Sequence, residues 1–270
     1  MRGLGAMIDA SLRRLARRRW LSAAVATGAL VVAVVAGLAA GGATATERDD
    51  LRAGVAGLLL LGGLIVALGL GAAALNRDAE RGYLGLLAAT GVGRPRVVLE
   101  SLAGRLVALA AVLAVWAVAA QIASLALGLG FDGPLLVHTF AMAELLALGL
   151  LAAAAASAVV GQVASFITGA AVAVIAQAVV NLKAAADDGV IGTAEGPIRA
   201  FYAVLPRAIT SPMISDLQAR DVAGVAAPQI DINGNIVIVP PSGLASVLVT
   251  LVWLGIFALL AVAGFRRRTL

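Results

Sequence analysis

Residues 135–182 read LLVHTFAMAELLALGLLAAAAASAVVGQVASFITGAAVAVIAQAVVNL, 48 positions that hold one carboxylate, Glu144, and one imidazole, His138. A single helix of that length would extend about 72 Å, more than twice the roughly 30 Å hydrocarbon thickness of a bilayer. The stretch must fold back on itself, and the small, polar group Gly161-Gln162-Val163-Ala164-Ser165 is the expected turn. Two membrane spans follow, at about 141–160 and 164–182.

Outward from this stretch the pattern repeats. About 20 apolar residues cross a hydrocarbon core, and further runs of that kind lie at about 20–42, 54–75, 106–129 and 244–265. The sequence thus predicts an all-α integral membrane protein of six transmembrane helices, with Glu144 as the sole ionisable residue inside them. Composition agrees: 61% hydrophobic, 13% charged and a mean hydropathy of +1.02 over 270 residues. A water-soluble domain keeps about a quarter of its residues charged to cover its surface. The first run ends at Ala43-Thr44-Ala45, which resembles the exit of a secretory signal. It is longer than the roughly 7–15 apolar residues of such signals, so a retained helix is expected.

The 20 basic and 15 acidic residues give a formal charge of +5. A basic surplus can mark nucleic-acid binding, but here it follows topology. With six spans both termini share a side. That side, made of 1–19, 76–105 and 266–270, carries 14 basic against 4 acidic residues, and the other side 6 against 11. A net +10 facing a net −5 places the termini in the cytoplasm of a cell whose plasma or inner membrane the chain crosses. The arginines sit in short flanks beside spans and aromatics make up 4%, so no nucleic-acid partner is expected. The absence of Cys excludes disulfides, thiolate catalysis and Cys-ligated metal.

Two cytoplasmic pieces stand out. In residues 1–19 Leu4, Ile8, Ser11, Leu12 and Leu15 form one helical stripe, with Arg13, Arg14, Arg17 and Arg18 off it. This pattern predicts an interfacial amphipathic helix along the inner leaflet, its arginines meeting anionic lipid. The loop 76–101 begins NRDAERGYLGLLAATGVGRPR. Early acids, apolar Tyr83, Leu84 and Leu87, and Gly91 and Gly93 as stops read as a short amphipathic helix. Pro95 then suits the first turn of the helix that leads, through Glu100 and Arg105, into the third span. The glycines lack a preceding strand and the full phosphate-loop fingerprint, so they read as turn residues.

This loop resembles that of ABC type-2 transporter permeases, whose pattern is Glu-x-Gly-Thr, a Leu-Leu pair, then Thr-Pro-Val-Ser-Arg. Glu80 and Gly82 match the first element, Leu86 and Leu87 the second, and Thr90, Val92 and Arg94 the third. Tyr83, Gly91 and Gly93 depart from it. The basic N-terminal helix, the six spans, the long external segment before the last span and the basic tail 266–270 fit the same architecture. The resemblance implies a coupling helix, carried by Glu80, Arg81, Gly82, Leu86, Leu87, Thr90 and Arg94, that docks on a separate cytosolic ABC ATPase subunit. It also implies a second permease copy or a paralogous subunit.

Residues 183–243 hold six of the eight prolines and six acids, and read as an external segment. Short helices are expected at 197–204 and 211–219, and Asn233-Gly234 between alternating residues predicts a β-hairpin. Asp231, Asn233 and Asn235 are too few for a calcium loop. By the resemblance, Phe201, Tyr202, Leu205, Met213 and Ile214 would help close the outer mouth. Among the polar residues of the spans, Gln121, Gln177 and Asn181 either line a path or bond between helices. Gly63, Ala67 and Gly71 form a small-residue ridge that suits close helix packing or a dimer seam. Glu144, near His138, is expected at the outer interface, because a carboxylate at the bilayer centre costs about 2.5–3.5 kcal/mol.

No metalloprotease, serine-hydrolase or Walker motif is present, so the chain is not expected to be an enzyme, and no cofactor or metal is expected. The function expected is that of the membrane-spanning subunit of an ATP-driven exporter. The alternatives are a membrane scaffold or sensor whose external segment binds a partner, and an ion-driven carrier, which the scarcity of intramembrane charge disfavours.

Overall fold

The structure, a computed structural model, describes residues 20–42, 44–76, 93–189, 192–210, 239–240 and 242–267. The interfacial stripe 1–19, the loop 77–92, the external stretch 211–238 with its expected second helix and hairpin, and the tail 268–270 lie outside the described residues. The helices are α1 Trp20–Ala40, α2 Ala45–Ala72, α3 Arg94–Ala126, α4 Gly133–Ser157, α5 Gln162–Asp187, α6 Glu195–Val204 and α7 Leu244–Arg267, with a 3₁₀ turn Gly192–Ala194 before α6. Among the described residues five helices are long and apolar enough to cross a membrane: α3, α4, α5, α7 and the Leu51–Ala72 part of α2. The protein is therefore a multi-pass membrane protein, all-helical over the described residues. In α1, 21 residues long, the described apolar stretch is Ala26–Val35.

Successive long helices run antiparallel. Leu75, Arg94, Val160 and Arg266 meet at one end of the bundle, called here the basic end, and Arg52 meets Asp132 at the other. α4 is the central helix, packed against α2, α3, α5 and α7. Its Leu146, Leu148, Leu150, Ala153 and Ala154 are fully buried. Large apolar side chains on the outside, among them Leu61, Ile65, Val118, Ile122, Ile167, Val174, Val252 and Leu259, stay exposed. A surface of that kind is stable against acyl chains and not against water.

Backbones approach closely where α2, α4 and α5 converge. A Cβ added at Gly71 would lie 2.3 Å from the Leu150 carbonyl oxygen, and one at Gly169 would lie 2.7 Å from the Gly149 carbonyl oxygen. A Cβ added at Gly63 would meet the Leu146 side chain, 2.5 Å from its Cδ1, and Ala67 is fully buried. The ridge Gly63, Ala67 and Gly71 is thus covered by α4 of the same chain, and is not a seam open to a second copy.

Helix ends follow local chemistry. α2 starts at Ala45, ahead of the expected position 54, because Thr44 and Glu47 form a reciprocal capping box. The Thr44 N–H donates to Glu47 Oε2 (2.6 Å), and the Glu47 N–H to Thr44 Oγ1 (3.4 Å). α4 starts at Gly133, ahead of the expected 141: the Asp132 carboxylate accepts from the Leu135 N–H (3.0 Å), and Pro134 occupies the first turn. The reversal between α4 and α5 occupies 158–161, so the expected turn residues 162–165 form the first turn of α5 instead. There the Ser165 hydroxyl donates to the Gly161 carbonyl (2.8 Å). α3 ends in a Schellman arrangement: the Gly128 N–H donates to Leu125 and the Leu129 N–H to Ser124, with Gly128 at φ +75°.

Candidate functional site

Three polar clusters interrupt the apolar bundle. At the basic end, Arg105 of α3 caps the C-terminus of α2. Its Nη1 donates to the Leu70 carbonyl (3.1 Å), and its Nη2 to those of Ala74 (2.9 Å) and Ala73 (3.3 Å). These are carbonyls that a helix end leaves without internal donors, and the cation also meets the negative end of the helix dipole. The Leu75 N–H then donates to Ser157 Oγ (3.3 Å), and Asn76 Nδ2 to the Val160 carbonyl (3.0 Å). Across the loop, Arg94 at the start of α3 reaches the Arg266 carbonyl of α7 (3.5 Å). Arg96 Nε pairs with Oε1 of Glu100 (2.7 Å), whose side chain is only 2% exposed. Of the expected coupling residues, Glu80, Arg81, Gly82, Leu86, Leu87 and Thr90 lie outside the described residues, and Arg94 stands at the loop's exit.

At the opposite end Arg52 of α2 grips Asp132 with two hydrogen bonds, Nη2 to Oδ1 at 2.7 Å and Nε to Oδ2. Burial alone would raise the Asp132 carboxyl's pKa, but the hydrogen bonds from Arg52 and the Leu135 N–H, with the guanidinium charge, hold it below the ordinary aspartate value. Gln121 clasps the same residue by its backbone: Nε2 donates to the Asp132 carbonyl (3.0 Å), and the Asp132 N–H donates to Oε1 (3.0 Å). Gln121 thus ties α3 to the start of α4, one of the two roles its position allowed.

The third cluster lies between α5 and α7. After α6 the chain turns extended at Leu205 and runs through 206–210 without regular structure, wedged between the two helices. The Ala208 N–H donates to the Ala176 carbonyl of α5 (3.0 Å), and the Thr250 hydroxyl of α7 to the Arg207 carbonyl (2.8 Å). Ala176 is about 16 Å along α5 from its Asp187 end, so the segment penetrates the bundle. Arg207 is 6% exposed, and its guanidinium lies 4.1 Å from the Tyr202 ring centroid. The Tyr202 hydroxyl is 3.1 Å from Ser246 Oγ, and Trp253 Nε1 donates to the Val204 carbonyl (2.8 Å). Of the expected gate residues, Tyr202 therefore faces the seam. Phe201 is 61% exposed, Leu205 is half-buried at the extended turn, and Met213 and Ile214 lie outside the described residues.

Glu144 is not interfacial. Because α4 begins at Gly133, its carboxylate sits about 16 Å inside the helix. His138 and Glu144 lie six positions apart, about 240° around the helix, and do not form a pair: His138 hydrogen-bonds to the Ala56 backbone of α2, whereas Glu144 lies beside Thr250 of α7. Both carboxylate oxygens of Glu144 are buried and, among the described residues, accept no hydrogen bond. On α5 Gln177 is half-buried, and Asn181 Oδ1 is buried without a donor among the described residues.

Sequence reasoning missed Asp132, Arg105 and Arg207 as organising residues. Asp132 carried a signal, an acid two positions before Pro134 at the head of an apolar run. Arg105 and Arg207 carried none, since the carbonyls they bind are remote in sequence and the Tyr202 ring meets Arg207 only where the chain turns extended after α6. Comparison with protein-family models and with characterised proteins finds no match for this chain.

Proposed function

We propose that the chain is the membrane-spanning permease subunit of an ATP-driven ABC transporter of the type-2 kind, acting as an exporter. In this reading α1 is a sixth span, both termini are cytoplasmic, and the basic end faces the cytosol. A separate ATPase subunit docks on the loop 77–92, and two copies of the chain, or one with a paralogue, enclose the path. Alternating access would be driven by ATP hydrolysis in the partner.

The observation that carries the reading is the anchoring of both roots of that loop. Its entry is fixed by Arg105, Ser157 and the Asn76–Val160 bond, and its exit by Arg94 on Arg266. A docking element transmits rigid-body motion only if its roots are stiff, since a slack root would absorb the displacement. Roots tied to α2, α3, α4 and α7 together would move most of the bundle at once. The segment 205–210, wedged at the other end, fits a closed outer mouth.

Purification of the full chain from its native membrane tests the assignment: an ATPase with a Walker motif should co-purify in stoichiometric amount. Absence of any such partner would overturn it. Glu80→Ala and Gly82→Val should lower transport-linked ATPase activity at least tenfold while the permease stays folded. Full activity in both variants would remove the coupling role from this loop.

A further inference from the structure

Glu144 is a carboxyl group at mid-depth in α4 with both oxygens buried and no donor among the described residues. Among the described side chains, the charged groups on the elements around it are engaged elsewhere. Arg52 of α2 holds Asp132. On α3 Arg96 pairs with Glu100 and Arg105 caps α2. Lys183 of α5 pairs with Asp187, and Arg207 lies on the Tyr202 ring. α7 carries no charge before Arg266, and on α4 itself His138 bonds to Ala56. A carboxyl group deprived of both water and counter-charge sheds its own charge by taking up a proton.

Among the described residues the Thr250 hydroxyl lies beside it, and that hydroxyl is shared. The Thr250 hydroxyl has a single proton, directed at the Arg207 carbonyl (2.8 Å) with a longer approach to that of Ser246 (3.1 Å). We infer that Glu144 is a membrane-embedded proton-binding site whose ionisation releases the 205–210 segment from α7 through the Thr250 hydroxyl. When the carboxyl O–H bond breaks, its proton passes to solvent water, the electron pair stays on oxygen, and no other covalent bond changes. The carboxylate then competes for the Thr250 proton with a charge-assisted bond roughly twice as strong as a neutral one. The hydroxyl rotates towards it, and the Arg207 carbonyl loses its link to α7. Reprotonation restores that link. Ala208 on Ala176 and Thr210 on Ser242 still hold the segment to α5 and to the start of α7, so it loosens without leaving.

This inference holds whether or not the chain is a transporter subunit, and its test needs no partner. The full chain is placed in lipid nanodiscs with Trp20→Phe and Trp116→Phe, leaving Trp253, which bonds to Val204 at the head of the segment, as the only one of three tryptophans. Trp253 emission and the infrared carboxyl band are followed across the whole pH range in which the protein stays folded. The two signals should titrate together in the parent. Glu144→Gln should lose the titrating band, with emission fixed at its low-pH value. Thr250→Val should keep the band and lose the emission change. Titration of Trp253 that survives in Glu144→Gln, or the absence of a titrating band that this variant removes, would overturn the inference. Should Glu144→Gln not fold, coupled titration persisting in Thr250→Val would overturn it alone.

Discussion

Asp132 takes the Arg52 fork and the Leu135 N–H on its carboxylate while Gln121 holds its backbone. Removing its side chain takes the fork away from the half-buried Arg52 guanidinium and the cap away from α4. Asp132→Ala should therefore lower stability by about 1.5–3 kcal/mol, measured by thermal unfolding in detergent. Its pKa is depressed in the folded state, so the stabilisation is complete above the unfolded aspartate value of about 3.9 and is lost only as pH falls below it. Asp132→Asn should flatten that acid limb; an unchanged acid limb would remove the pair from the stability of this end. Arg105→Lys keeps the charge but loses the fork over three carbonyls, and should cost about 1.5–3 kcal/mol. How far such residues show in the sequence depends on the range of their partners. Asp132 caps its own helix, a contact three positions away that Pro134 signals. Arg105 and Arg207 bind carbonyls far away in the chain, and no local pattern announces it. Glu144 was legible as the lone intramembrane acid, but its depth depends on where α4 starts.

At the scale of helices, the long apolar runs were legible because lipid demands length and low charge, and both can be read from composition alone. Their ends were less so, for a specific reason: the capping box of α2 lets polar residues such as Glu47 and Arg52 lie within the helix, and the Asp132 cap starts α4 early, so both begin before the expected spans. Thr44→Ala should remove about 1 kcal/mol of stability at the head of α2, visible as faster amide exchange in its first turn. The small-residue ridge was recognised, and its partner had to come from the structure. At Gly71 and Gly169 an added Cβ would meet backbone at 2.3 and 2.7 Å. Gly71→Val and Gly169→Val should therefore each destabilise the bundle by about 2–3 kcal/mol, whereas Gly69→Ala, with open space around it, should be tolerated. Equal melting temperatures in all three variants would show that α2, α4 and α5 are not packed this tightly.

The whole molecule presents an apolar exterior between two polar ends, and its topology can be read by chemistry because the native chain contains no cysteine. Phe131→Cys and Gly161→Cys lie at opposite ends of the bundle, and Gly41→Cys shares the end of Phe131. A membrane-impermeant thiol reagent applied to intact cells should label Phe131→Cys and Gly41→Cys and spare Gly161→Cys. Labelling of Gly161→Cys with Phe131→Cys and Gly41→Cys spared would overturn the proposed orientation. α1 packs mainly on α3 and bounds, with α2, an apolar groove floored by Trp116. α3 itself is one unbroken helix of 33 residues, about 50 Å long. It is held near one third of its length by the Arg105 fork and at its far end by Gln121. A helix pivoted in that way is a lever of unequal arms: a tilt of about 5° about Arg105 would sweep its far end by about 3 Å, enough to break the Gln121 clasp on Asp132 while the short arm moved half as far. A small displacement at Arg94 would therefore arrive at the other side of the membrane enlarged.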